Sequence, residues 1–257
     1  MAYKVVPGRP PHDPWGVGLR VRDWEAWYDD AGLRFGWIED GGERVGAITW
    51  VGDEVTQVLG LNADEPPEEA SEAALMWVKP RVLTAYSFQP GVVVAAHRQA
   101  LEAVGEVFQL RSPLDPAAHA SAARDAAPVS AGDAETLGPL YDQVFKTKGG
   151  RRIVWQFFDR HEDSQGFLWR HQGRGVAFYA DRVNPSRDVQ VVWLGVLPDV
   201  RRQGFGRRLV AAGLGSRAKA GLRQAVTQVA ADNTPGLRLA EAVGFSWEWT
   251  KTRLEAG

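Results

Sequence analysis

The stretch "GVLPDVRRQGFGRRLV", residues 195–210, decides how this chain reads. It sets four arginines and two close-set glycines, Gly204 and Gly206, directly after the apolar run "VQVVWLGVL" at 189–197. A continuous apolar run suits a central strand buried on both faces. Beyond the glycines, Leu209, Val210 and Leu214 give the next segment an apolar helical face. The junction reads as a strand-to-helix turn, so the N–H groups from Gln203 to Arg207 are the unpaired donors at the positive end of a helix. Glycines there let a ligand approach the backbone and turn the donors into a concave nest, which suits a phosphate or pyrophosphate.

The rest of the chain limits what that ligand can be. At 257 residues and 44% hydrophobic, the sequence is long enough for one large domain or two ordinary ones. It has no cysteine, which excludes disulfides, thiolate metal sites and a covalent cysteine intermediate. The five histidines, His12, His97, His119, His161 and His171, show no metal-ligand spacing, so a zinc or iron enzyme is not expected. The opening "MAYKVVPGRPPHD" lacks the pattern of a secretory signal, and no segment approaches the roughly 18 apolar residues of a membrane span. The expectation is a cytoplasmic protein without membrane association.

Charge is divided unevenly along the chain. Residues 1–115 hold 10 Lys+Arg against 18 Asp+Glu, whereas residues 116–257 hold 20 against 14. An anionic ligand therefore belongs to the second half. The sign changes at "RSPLDPAAHASAARDAAP" (111–128), an Ala-, Pro- and Ser-rich stretch without apolar periodicity and the expected linker between domains 1–115 and 116–257.

Past the linker the predicted elements alternate. "GDAETLGPLYDQVF" (132–145) reads as a helix capped by Asp133, with Leu137, Leu140, Tyr141 and Val144 on one face. A second helix is expected at 151–163, and a hairpin at 166–182 turning at Gln172-Gly173. After the buried strand come a helix to about Ala220, a strand at 224–232, a short helix from Thr234 to Val243 and a strand at 245–254.

Neither a dinucleotide fingerprint nor a mononucleotide P-loop is present. What is present is R-x-x-G-x-G, Arg201 to Gly206, after "VLP" at 196–198, and further on "DNTPGLRLAEAVGF" (232–245). The first resembles the acyl-CoA-binding motif of the GNAT superfamily of N-acetyltransferases. The second is similar to the family's N-x-x-A-x-x-L-Y-E-x-x-G-F, with Asn233, Leu239, Glu241, Gly244 and Phe245 in place. The resemblance covers about residues 128–254. It implies acetyl-CoA as acyl donor, cofactor contacts at Val196, Arg201, Arg202, Gln203, Gly204, Phe205, Gly206, Arg207 and Asn233, no metal, and direct transfer of the acetyl group to a primary amine.

The first half repeats the second. "EAVG" occurs at 102–105 and 241–244, "WIEDGGERVGAITW" (37–50) is a hairpin like that of 166–180, and 58–75 can be laid on 193–210 without a gap. In that superposition Pro66 stands for Arg201, Glu69 for Gly204 and Ser71 for Gly206. Glutamates 65, 68, 69 and 72 would repel a pyrophosphate, and Pro66 and Pro67 remove two donors. The expected architecture is an α/β (α+β) tandem of two GNAT-like domains, each a mixed, mostly antiparallel sheet flanked by helices, the first copy degenerate. Such tandems with one inactive copy include mycothiol synthase-type enzymes, but nothing here singles out that substrate.

The match weakens at the proton-transfer groups. Where many family members carry a glutamate base this chain has Gln190, and where many carry a tyrosine acid it has Ala240. Asp188, Glu162 and Tyr179 are the substitutes by neighbourhood. On the acceptor side the stretch to watch is "FKTKGGRRIVW" (145–155), with Trp155, Trp169 and Trp193 as candidate pocket walls. The acceptor is a small-molecule or peptide amine, its identity open, as are the acyl chain length and the oligomeric state, a homodimer included. A nucleic-acid partner is not expected, because the arginines cluster at a glycine turn and half the chain is acidic. The alternative function is an acyl-CoA-binding regulatory or assembly protein with little or no catalysis.

Overall fold

A computed structural model describes residues 3–7, 34–60, 67–86, 90–115, 126–184 and 186–257. The chain divides into two compact units, one of Met1–Phe108, Ala230–Asp232 and Trp249–Gly257, the other of Gln109–Val229 and Asn233–Glu248.

The first unit contains β1 (Tyr3–Pro7), β2 (Arg34–Asp40), β3 (Glu43–Val51), β4 (Glu54–Gly60), α1 (Glu68–Val78), β5 (Val82–Tyr86), α2 (Pro90–Arg98) and the start of β6 (Leu101–Pro113). Strands β1 to β4 form an antiparallel ladder. The expected hairpin is β2–β3, closed by Gly41 and Gly42 at φ 59° and 97°, a conformation glycine adopts without the Cβ clash. Between β4 and β5 the pairing is parallel and covers only Glu54↔Val82 and Val55↔Leu83. Ile38, Ile48, Val55, Leu75, Leu83, Val92 and Leu254 form its core.

The second unit holds β7 (Ala126–Val129), α3 (Ala134–Phe145), α4 (Gly150–Arg160), β8 (Ser164–His171), β9 (Arg174–Val183), β10 (Val189–Val196), α5 (Phe205–Lys219), most of β11 (Gln224–Ala230), α6 (Thr234–Ala242) and the start of β12 (Ser246–Ala256). Its strands run in the order β7-β8-β9-β10-β11, with residues 109–113 of β6 beside β11. The β8–β9 turn is the expected Gln172-Gly173 pair, both at positive φ (51° and 78°), whose twist matches the flanking strands. Helices α3 and α4 cover one face of this sheet through Leu137, Leu140 and Val154, and α5 covers the other. At the α3–α4 crossing a Cβ on Gly138 would lie 2.5 Å from the backbone nitrogen of Arg151. Gly138→Ala is expected to push the helices apart and cost about 1–3 kcal/mol, read from chemical denaturation.

Several sequence expectations need correction. The domains are not consecutive segments: Lys251–Glu255 of β12 pair antiparallel with Tyr86–Val82 of β5, so the chain's end completes the first unit. Each unit fastens the strand it receives with an arginine. Arg253 pairs with Glu54 at the start of β4 at 3.5 Å, and Arg111 pairs with Asp188 just before β10 at 3.1 Å.

The "EAVG" strings are not equivalent. Residues 241–244 close α6, but 102–105 lie inside β6, which starts at Leu101 because α2 stops at Arg98 and the chain turns at Ala100 with φ 58°. The gapless overlay also fails by two residues. From the first parallel pair to the helix start is 14 residues in the first unit (Glu54 to Glu68) and 16 in the second (Val189 to Phe205). Pro67 is the N-cap where Gly204 caps α5, and Glu69 then corresponds to Gly206. Glu65 and Pro66 lie outside the described residues. Finally, Asp133 does not cap α3 with its side chain. It closes a box with Ser130 around a single 3-10 turn, the Ser130 N–H donating to Asp133 Oδ2 at 2.9 Å.

Candidate functional site

Strand β10 is held by β9 along its length but by β11 only at Val189↔Ala225, Gln190↔Val226 and Val191↔Thr227. A bulge at Val192 breaks the β9 register just where the parallel ladder ends. Residues Val192–Leu194 and Val196 are half-buried. Two parallel strands that part midway leave backbone donors and acceptors on β10 without a strand partner.

At the end of β10 the Leu197 N–H donates to Val176 O at 2.9 Å, and the chain makes a 3-10 turn over Pro198–Val200. Arg201 folds back, its Nε donating to Val196 O at 3.1 Å. Arg202 adopts φ 65° and Gly204 φ 83°. Two left-handed residues so close together curl the chain into a shallow cup before α5. Among the described residues, no atom beyond its own chain neighbours lies within 4 Å of where a Cβ on Gly204 would stand, so the cup is open. Gly206 is needed for a different reason: its Cβ would sit 3.1 Å from Leu239 Cδ2 and 3.4 Å from Val196 Cγ2, so its absence lets α5 approach α6 and β10. The Arg208 N–H is the first in α5 bonded back along the helix, to Gly204 O at 3.1 Å, which leaves the Phe205, Gly206 and Arg207 N–H groups at the helix mouth. Gln203 and Arg207 are exposed beside it.

Two of the residues expected at this site have other work for their side chains. Phe205 is buried, packed 5.7 Å from Trp169 and 5.4 Å from His171, so only its backbone faces the cup. Asn233 caps α6, its Oδ1 accepting the Gly236 N–H at 3.1 Å.

The proton-transfer candidates scatter. Tyr179 is 1% exposed and donates to Asp181 Oδ2 at 2.6 Å, and burial first, then Asp181, pushes its phenol far up. Asp181 in turn takes Arg217 of α5 at 2.7 Å and Gln165 at 2.7 Å, so the cluster ties α5 to β8 and β9. Asp188 is held by Arg111, and Glu162 is exposed in the turn after α4. Ala240 is buried in α6. The three tryptophans do not share a pocket: Trp169 is core, Trp155 is 48% exposed beside Arg151 and Arg152 at a shallow cavity of about 410 Å³, and only Trp193 sits against α3 and α4. The α3–α4 loop is tied rather than loose, because Asp142 Oδ1 accepts from Thr147 Oγ1 at 3.0 Å and Gly150 N at 2.9 Å.

Sequence reasoning missed one constellation. Gln190 and Arg182 are directly opposite in the β9–β10 ladder, Arg182 Nε donating to Gln190 Oε1 at 3.0 Å and its Nη1 to His161 Nε2 at 3.1 Å. These three lie on the face opposite Asp181 and α5. The Phe157 ring links that chain to Trp193, being 5.3 Å from His161 and 4.4 Å from Trp193. Burial, then Arg182, then Arg160 lower the His161 pKa. No spacing rule joins residues 161, 182 and 190, so the sequence carried no signal for them.

The cup, its glycines and the parted strands stand in a segment that comparison identifies: residues 134–245 match the model of the acetyltransferase (GNAT) family. Over those residues the chain is similar to a GNAT acetyltransferase domain. Two curated relatives, both named mycothiol acetyltransferase, are 35% identical over 80 residues (Thermomonospora curvata) and 31% identical over 105 residues (Saccharomonospora viridis). Those matches take in 31% and 37% of this chain but only 27% and 34% of the relatives' own length. A tandem GNAT protein from the clavulanic acid biosynthesis pathway matches the whole fold, covering 100% of this chain and 99% of its own at a TM-score of 0.66 and 16% identity. The fold is thus the GNAT tandem, a mixed sheet, mostly antiparallel, flanked by helices. Among the described residues no helix is long and apolar enough to cross a membrane.

Proposed function

We propose that the second unit binds acetyl-CoA and transfers its acetyl group to a primary amine, while the first unit binds no cofactor. The observation that carries this is the cup at Arg202–Arg207, open at Gly204 and placed at the end of a strand that has parted from its neighbour. The pyrophosphate sits on the Phe205–Arg207 N–H groups, with the exposed Arg202 and Arg207 countering its charge. The pantetheine arm runs along β10 beyond Val191, its amides taking the backbone groups that β11 leaves. The thioester then lies near Val192–Trp193, where a backbone N–H stabilises the oxyanion as the amine attacks from the α3–α4 side. Much of the rate comes from holding the two reactants together.

In the first unit the corresponding turn leads into a helix whose first residues are Glu68 and Glu69, after a connection two residues shorter. Carboxylates at a helix N-terminus satisfy the positive end themselves and repel a phosphate.

The test is release of coenzyme A thiol from acetyl-CoA against a panel of amines, including mycothiol-related ones because two relatives bear that name. Turnover with at least one amine is expected. Gln190 and Ala240 support the second reading, an acyl-CoA-binding protein without catalysis, which predicts cofactor binding and no thiol release for any amine.

A further inference from the structure

We propose that His161 is the proton acceptor of this site and that the acceptor is a weakly basic amine. The proposal rests on the acetyl-transfer reading above and adds the group that reading lacks.

Gln190 is the middle of the three β10–β11 pairs, one residue before the last pair, and its side chain reaches Arg182 of β9. It has no basic atom, but it ends the chain Gln190–Arg182–His161. A guanidinium can only donate, so the nitrogen that receives Arg182 Nη1 must carry the lone pair: His161 Nε2 is unprotonated and the proton is on Nδ1. Arg182 thereby holds the imidazole neutral, in the form a base needs. The charged groups facing the ring are Arg182 from β9 and Arg160 on its own helix, both cations, with Glu162 and Asp163 following in the exposed turn. The ring also ends the aromatic row Trp193–Phe157–His161, packed between α4 and β10.

The step balances without any further reactant. The amine nitrogen bonds to the thioester carbonyl carbon, and the carbonyl π pair moves to oxygen. One N–H proton passes to His161 Nε2, directly or across one water, as Arg182 swings aside. The oxygen pair returns and expels the thiolate, which takes the proton back from the imidazolium, leaving amide and free thiol.

A site that presents a weak base and two cations does not deprotonate a strongly basic alkylammonium well. It fits an amine whose own ammonium loses its proton near neutrality, such as an α-amine at a pKa of about 8 rather than a lysine-type amine at about 10.4. The sign for pH follows: His161 must be neutral, so the rate falls as pH drops through a value below the ordinary 6.5.

The experiment compares the full chain with His161→Gln, using acetyl-CoA and phenylalaninamide, with folding checked by circular dichroism. Coenzyme A binding is expected to be equal in both, kcat/KM about 100-fold lower in the variant, and the acid limb of the pH profile lost. An unchanged rate and acid limb would overturn the assignment. If phenylalaninamide is not turned over, proton NMR of the wild-type imidazole decides. A titration below 6.5 that moves when acetyl-CoA and the amine are added supports the role, and one at or above 6.5 that ignores them refutes it. Failure of the wild-type chain to bind acetyl-CoA at all would refute the acetyl-transfer reading instead.

Discussion

Gly204→Glu is expected to lower the affinity for coenzyme A by at least about 100-fold, measured by calorimetry, and Glu69→Gly to leave it unchanged. Three effects add at Gly204. Its φ of 83° is costly for any residue with a Cβ, by about 1–2 kcal/mol. The space in front of it, free within 4 Å of atoms of described residues other than its chain neighbours, is the space the pyrophosphate would fill. A carboxylate there opposes the phosphate charge by about 1 kcal/mol at 4 Å even in bulk water, and by more where the cup excludes solvent. Together these reach about 3 kcal/mol, or two powers of ten. Gly204→Ala separates the contributions, keeping the backbone strain without the charge, and is expected to lose only about tenfold. Glu69 belongs to the first turn of α1, in the other unit. Equal losses from Gly204→Glu and Glu69→Gly would sink the assignment of the cofactor to the second unit.

Arg217→Met is expected to be the most destabilising single change, lowering Tm by about 10 °C. Asp181 is 0% exposed and Arg217 13%, so removing the guanidinium leaves a buried carboxylate with only neutral donors. Burial already pushes the Asp181 carboxyl upward, against Arg217 first and then Tyr179 and Gln165, all of which favour its charged form. Breaking a buried pair on one side costs about 3–5 kcal/mol, and for a chain of this size each kcal/mol moves Tm by about 2–4 °C. Arg217→Met combined with Asp181→Asn is expected to regain about half the loss, because the amide still accepts from Tyr179 without a charge to desolvate. A single-variant shift under about 2 °C would mean that water, not Arg217, holds the carboxylate. The pair also joins α5, the helix that presents the cup, to the sheet, so coenzyme A affinity should weaken with it.

The cup before α5 was legible because every feature it needs is local. A left-handed N-cap demands glycine, close packing against Leu239 demands a second, and a buried strand announces itself by a run of apolar residues. The hairpins were legible for the same reason, through Gln172-Gly173 and Gly41-Gly42. Matching letters do not guarantee matching structure. "EAVG" at 102–105 looked like its twin at 241–244, yet the first is strand, because Ala100 takes the turn that Gly244 takes in the second. The catalytic candidates chosen by neighbourhood do not come together, for a related reason. Tyr179 is adjacent in sequence to strand residues of the opposite face, and alternation sends it to α5 rather than to the parted strands.

By itself the sequence determined the second unit's elements from α3 to the start of β12 and the glycine turn before α5, since each depends on residues a few positions apart, whereas β7 begins inside the stretch read as a linker. The tertiary structure alone decided that the last strand completes the first unit, because strand order depends on which edge is left unpaired, and many edges accept an alternating segment. It alone decided that Gln190, Arg182 and His161 form one chain. That contact exists because a ladder sets residue 182 opposite 190 and a helix ends above them, and no periodicity in the sequence records where a helix on one face will stop.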